Sequence, residues 1–290
     1  MKYLVMTVSI LLSVLNACLL KSYTNGQNKT YNTLLFNSGV CAMWATLLSG
    51  LLAISVNEVN LTTVGFGIVY GVILFAFLFY KTSTMQTGPI TLGTLVGSCA
   101  FLITIIYGVG FCDESINIEQ ISGILLLIIS LVFCINPKKS TEILTGKWLF
   151  NCTCFFLAGG AVGILYKIFG ASPVKDNADA MLCTAAIVGF LLFLISNIIF
   201  SAKNKCNIKP CKRTVVYMIL SGIASCIYIR LNISLSAIIP SVVFFPVSNG
   251  GMVILSALCG KLVYGEKLNR RQSAGIILGC VAILIIGCAQ

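Results

Sequence analysis

A few polar and charged side chains lie where the surrounding sequence is almost wholly apolar. Asn16, Trp44, Tyr70, Tyr107, Tyr166, Lys167, Arg230, Asn232, Ser248 and Asn249 all sit inside or at the ends of long apolar runs, with Asn37, Asn151, Asn197 and Tyr228 completing the set. In hydrocarbon such groups are costly and are kept where they do something. Amides and hydroxyls donate to and accept from a polar ligand, and aromatic rings stack on a flat one or mark the membrane interface. Arg230 lies 17 residues beyond Arg213, ~25 Å along a helix. Two readings stand for it: snorkelling to the far interface, or facing a cavity to hold an anionic group. Lys167 has the same two readings, a helix-end anchor or a ligand contact. Asn249 with Gly250 and Gly251 follows Pro246 closely, so a locally broken helix there would free backbone groups for a ligand. Pro89 and Pro240 enter their runs in the same way. No acid lies deep in any run, so the set suits a neutral, zwitterionic or anionic small molecule better than a cation.

The composition says what holds these residues. Of 290 residues, 58% are hydrophobic and 9% charged, with mean hydropathy +1.00. Soluble domains carry roughly 25% charged residues, so this chain cannot coat a water-facing surface. It is read as an all-α polytopic membrane protein, with the lipid bilayer as its main partner. The net charge of +11 does not point to nucleic acid, because the basic residues lie between apolar runs rather than along one face. The 14 cysteines have no metal-site spacing, and there is no histidine to join them. They read as small packing residues between helices, not as a disulfide framework. Residues 1–20 imitate a signal peptide but are taken as a retained first span.

Ten spans follow from the hydropathy pattern, at about 3–20, 33–55, 61–80, 88–111, 118–135, 147–168, 178–200, 214–236, 241–263 and 270–288. Each is long enough to cross ~30 Å of hydrocarbon.

The chain also repeats itself. With residue i placed over i+152, Glu114 falls on Glu266, Asn117 on Asn269, Gln120 on Gln272, Gly123 on Gly275, Ile124 on Ile276 and Leu126 on Leu278. Gly88-Pro89 falls on Pro240-Ser241. The expected organisation is two five-helix repeats, 1–137 and 138–290. Five is odd, so the second repeat must be inverted relative to the first, and the charges agree. Val56 to Asn60 has no base, whereas its counterpart from Ser201 to Arg213 has five. Of the 19 basic residues, 15 lie in the odd-numbered connections. The positive-inside rule then puts those connections in the cytoplasm, with both termini on the same, outer side.

Each repeat closes with Gly-Glu or Asp-Glu, a polar stretch, Gln, then Gly and an apolar run. The clearest copy is Tyr264-Gly265-Glu266-Lys267-Leu268-Asn269-Arg270-Arg271-Gln272-Ser273-Ala274-Gly275. This pattern, with the span count, resembles EamA-like members of the drug/metabolite transporter superfamily. The resemblance implies a central cavity between the repeats, a small-molecule substrate, no cofactor, and a bacterial plasma membrane as the setting. It also implies both termini inside, against the charge count. Small multidrug relatives depend on a membrane-embedded Glu in the first helix. Span 1 has no acid, which argues against export of lipophilic cations, the alternative reading for this fold. An embedded enzyme is disfavoured because there is no His, no metal motif and no deep carboxylate pair. A passive channel lacks rings of charge or carbonyls. A non-transporting scaffold stays open, as does a monomeric or homodimeric state.

Overall fold

A computed structural model describes residues 2–24, 30–54, 60–87, 96–134, 145–204, 212–264 and 269–288. The described residues form ten principal α-helices and no strand. They are α1 Lys2–Thr24, α2 Thr30–Ile54, α3 Leu61–Thr87, α4 Phe101–Phe111, α5 Ile118–Cys134, α6 Gly146–Ala171, α7 Ala178–Asn204, α8 Lys212–Ser236, α9 Ser241–Tyr264 and α10 Arg270–Cys288. Eight of them are long and apolar enough to cross a membrane. The remaining two apolar helices, Val96–Phe111 and Ile118–Phe133, are shorter. The expected span at 88–111 is thus seen only from Val96 onward, with a turn at Cys99 and Ala100 inside it. Its entry at Gly88-Pro89 lies outside the described residues.

Most helices continue beyond their apolar runs. α3 extends through Lys81 to Thr87 and α1 through Lys21 to Thr24. Helix formation continues into the interface because an intrahelical hydrogen bond satisfies the backbone there as well as water does.

Close approach sets the packing. A β-carbon on Gly67 would stand 2.5 Å from Thr184 Cβ, and one on Gly71 2.8 Å from Val188 Cβ, so α3 and α7 touch backbone to backbone. These contacts run in the same order along both helices, which are therefore parallel. The α3–α6 seam runs the other way: Phe66 meets Phe169 and Phe77 meets Phe155. Without a hydrophobic force between helices in lipid, small residues and interhelical hydrogen bonds hold such seams.

Helix α1 packs on α8 and α9, α2 on α7 and α8, α3 on α6 and α7, α4 on α6 and α9, and α5 on α10. Advancing each number by five, cyclically, turns α1–α8 into α6–α3, α2–α8 into α7–α3 and α1–α9 into α6–α4. The pairs α2–α7, α4–α9 and α5–α10 return to themselves. Ser9 meets Asn232 near the end of α8, Gly108 meets Ser241 at the start of α9, and Gly123 meets Ile286, so the Lys2 end of α1 and the Cys288 end of α10 share one face of the bundle, the terminal face.

Two local features fall at positions 152 residues apart. The Asn117 N–H donates to Gln120 Oε1 at 3.0 Å, and the Asn269 N–H donates to Gln272 Oε1 at the same distance. Each is half of a capping box opening α5 or α10. Between these helices the Ser130 hydroxyl donates to the Gly275 carbonyl at 2.7 Å. A β-carbon on Gly123, the residue matching Gly275, would lie 3.3 Å from the Ala282 carbonyl, and Ala282 is the residue matching Ser130.

α4 ends at a strained residue. Asp113 has φ 52°, left-handed backbone that favours glycine. There the N–H groups of Cys112 and Glu114 both donate to the Gly108 carbonyl. The matching position of the second half carries Gly265. Asp113→Gly is therefore expected to stabilise the protein by about 0.5 kcal/mol, read as a higher midpoint of thermal unfolding in detergent. An unchanged or lower midpoint contradicts the strain argument.

Candidate functional site

The polar side chains of α1, α2, α3, α6 and α8 converge. On the α1–α8 seam, the Ser9 hydroxyl donates to Asn232 Oδ1 at 2.5 Å, and the Ser221 hydroxyl donates to Asn16 Oδ1. Tyr228 lies beside the same Asn16 side chain. On the α2–α8 seam, Trp44 Nε1 donates to Ser225 Oγ at 2.8 Å. The Ser225 hydroxyl in turn donates to the Ser221 carbonyl at 2.5 Å. Across α3–α6, the phenols of Tyr70 and Tyr166 share a hydrogen bond of 2.8 Å, with ring centroids 5.7 Å apart. Tyr228 lies within electrostatic reach of both.

Tyr70, Trp44 and Tyr166 are deeply buried, at 0%, 3% and 5% exposed, as are Ser9, Ser221 and Ser225, whereas Asn16, Tyr228 and Asn232 are half-buried. They present hydroxyls, an indole N–H and amides among aromatic rings, with no charge. Such a set can exchange its internal hydrogen bonds for those of a neutral polar molecule while a ring lies against that molecule's apolar face.

Lys167 and Arg230 are both paired outside this set. Lys167, next in sequence to Tyr166, binds Glu114 Oε1 at 2.7 Å and donates to the Ile239 carbonyl at 3.1 Å. Glu114 Oε2 accepts the Ser241 backbone N–H at 2.7 Å, so the carboxylate also caps α9 at its positive end. Lys167 and Glu114 are 10% and 14% exposed. This knot ties the ends of α4 and α6 to the start of α9 at the terminal face. Arg230 forms a two-point ion pair with Asp179, Nε to Oδ1 at 2.5 Å and Nη2 to Oδ2 at 2.8 Å. Its side chain is 54% exposed, and it shares the outward stripe of α8 with Ile223 and Ile227.

The other candidates lie apart. Tyr107 stacks on Phe111, with centroids 5.3 Å apart, near the end of α4. Ser248 Oγ is buried without a hydrogen-bond partner among the described residues. Asn249 Nδ2 donates to the Phe245 carbonyl of its own helix at 2.9 Å. The helix break expected around Pro246 is a correction: α9 runs as one helix from Ser241 to Tyr264 with Pro246 inside it. Gly250 and Gly251 instead admit neighbours, since β-carbons there would stand 2.7 Å from Leu127 and 3.2 Å from Ile10. Pro240 starts the helix, its carbonyl accepting from the N–H of Phe244 at 2.9 Å. Pro89 lies outside the described residues.

Sequence reasoning missed Ser9, Ser221 and Ser225, because single hydroxyls are common in spans. Their signal was positional: Ser221 and Ser225 lie four apart on one face of α8, the face that also carries Tyr228 and Asn232. It also missed Asp179 as the partner of Arg230, and Glu114 as that of Lys167.

Removing one partner of a buried pair is strongly destabilising, by roughly 3–5 kcal/mol, because the other charge stays behind. Glu114→Ala should therefore lower the thermal midpoint more than Lys167→Met, since it strands both the ammonium and the Ser241 N–H. The double variant should lose less than the two single losses added together. Equal single losses that simply add would show that the knot is not a unit.

No family model matches this chain. It is 26% identical over 205 residues, 70% of its own length and 68% of the relative's, to a protein of Priestia megaterium described as a probable glucose uptake protein, GlcU. A chain of known crystal structure superposes with TM-score 0.74 at 15% identity, covering 100% of this chain and 99% of the other. That likeness places this bundle in a fold already seen by experiment.

Proposed function

We propose that this protein is a secondary transporter of a small neutral polyhydroxylated metabolite, of the size and chemistry of a hexose, in the plasma membrane of a bacterium. The uncharged cluster of buried Trp44, Tyr70 and Tyr166 with half-buried Tyr228, Asn16 and Asn232 carries this reading. Sugars are bound by hydrogen-bonding side chains and by rings laid on their apolar faces, and this cluster supplies both. The sequence left anionic and zwitterionic substrates open. The pairing of Lys167 with Glu114 and of Arg230 with Asp179 favours the neutral class, since neither cation stands free beside the cluster. The similarity to a probable glucose uptake protein points the same way.

In this reading the halves are EamA-like five-helix repeats related by inversion. Support comes from the shared offset of 152, the matched caps at Asn117 and Asn269, the Gly123/Ala282 and Gly275/Ser130 contacts, and the pairing pattern that survives exchange of the halves. Alternate opening of the two faces would expose the cluster first to one side and then to the other. The terminal face is assigned to the outside, because 15 of the 19 basic residues lie in connections at the opposite face. A reporter enzyme active only outside the cell, fused after Gln290, should be active; silence would reverse the orientation.

Transport is tested by uptake into proteoliposomes against hexoses, amino acids, organic anions and cationic dyes. Hexose uptake should be saturable. It should fall about tenfold or more in Trp44→Phe and Tyr70→Phe, each of which removes a buried donor, and it should persist in Arg230→Ala. Movement of cationic dyes alone, or equal uptake by all variants, would overturn the reading.

A further inference from the structure

The back of the α1–α8 seam carries a groove that the proposed function does not use. It is lined by Leu12, Leu15 and Leu19 of α1 and by Leu220, Ile223, Ala224 and Ile227 of α8, and it is a half-open space of about 220 Å³. Every lining residue is apolar, and the groove opens on the outward surface of the bundle. Its long axis follows the helices. Leu220 to Ile227 spans seven residues, ~10 Å of helix.

The groove has a polar end. On α8 the outward stripe runs through Ile223 and Ile227 to Arg230, one turn further toward the terminal face. On α1 the matching step from Leu12 and Leu15 reaches Val8, which is also exposed. Arg230 lies six residues, ~9 Å, short of the end of α8, a depth from which a guanidinium reaches the headgroup layer. Asp179 occupies its Nε and Nη2 edge. Among the described residues no acceptor meets the Nη1 edge, and the planar fork of arginine allows a second one there.

An apolar channel ~10 Å long, ending under a half-exposed arginine at interface depth, has the two parts of a glycerophospholipid in the right order. We infer that this groove binds one phospholipid, with an acyl chain between α1 and α8 and the phosphodiester on Arg230. Charge complementarity selects this occupant. A second copy of the chain would bring an apolar helix to the groove but leave the free edge of Arg230 without an anion. The seam that forms the groove on its back carries Asn16–Ser221 and Ser9–Asn232 on its front. The lipid therefore braces the same two helices that build the candidate site.

The test is native mass spectrometry of the full chain in mild detergent, titrated with dioleoyl phosphatidylglycerol and, in parallel, with dioleoylglycerol, which has the same chains and no phosphate. The wild-type protein should retain one phosphatidylglycerol and hold dioleoylglycerol about tenfold more weakly, the loss of a charge-assisted contact. Arg230→Gln should weaken phosphatidylglycerol by a similar factor. Ala224→Phe, which fills the groove and leaves the Arg230–Asp179 pair intact, should abolish the single-lipid peak. Equal retention of both lipids, undiminished binding in Ala224→Phe, or a mass of two chains lost on filling the groove would each overturn the inference. None of these readouts depends on transport, so the proposed function and this site can fail separately.

Discussion

Hydrocarbon offers no hydrogen bonds, so each polar group that a span carries into it must be satisfied by another part of the same bundle. Asn16 cannot be left facing lipid, and Ser221 meets it from α8. The Trp44 indole has to donate somewhere, and Ser225 accepts. The phenols of Tyr70 and Tyr166, on helices 96 residues apart in sequence, satisfy one another. One solvent constraint thus gathers side chains from five helices at one locus. The arrangement that stabilises the bundle is also the one a polar ligand could enter, because each of these bonds is between neutral groups and can be exchanged for one to a ligand hydroxyl at small net cost.

Charges are handled differently. An unpaired ion in this medium costs far more than an unpaired hydroxyl, so Lys167 and Arg230 are each paired with a carboxylate near the terminal face. Glu114 does two things there, neutralising an ammonium and accepting the first N–H of α9. The end of α4 that delivers it bends through the strained Asp113. Tyr166 is next in sequence to Lys167 of this knot, so the knot adjoins the cluster at the Tyr70–Tyr166 pair. The glycines expected to break a helix allow close packing instead: Gly250 and Gly251 let α9 lie against Leu127 and Ile10.

The helical class and nearly all helix positions were legible in the sequence, because hydropathy over some twenty residues reports the solvent directly. The fourth span was less so. Its described helix is short and interrupted at Cys99 and Ala100, a local departure that a hydropathy window averages away. Asn16, Trp44, Tyr70, Tyr166 and Asn232 were visible as polar residues in apolar runs, and they meet. What the sequence could not show was the pairing. Arg230 and Lys167 look equally free in one dimension, and only the packing of α7 on α8, and of the α4–α5 connection on α6, brings Asp179 and Glu114 to them. Ser9, Ser221 and Ser225 have no signature of their own and became recognisable through the amides and the indole that they complete.

The central claim is that a neutral polar molecule binds at Trp44 among the buried hydroxyls. The chain has two tryptophans, and among the described residues the indole N–H of the other, Trp148, has no partner, so Trp148→Phe removes no hydrogen bond seen there. In that variant, Trp44 emission followed during titration with D-glucose reports the site alone. The account predicts a saturable spectral change, shifted to about tenfold higher glucose when Tyr70→Phe is added. An emission spectrum that no hexose alters, from protein that still takes up hexose in liposomes, would place the substrate elsewhere and contradict it.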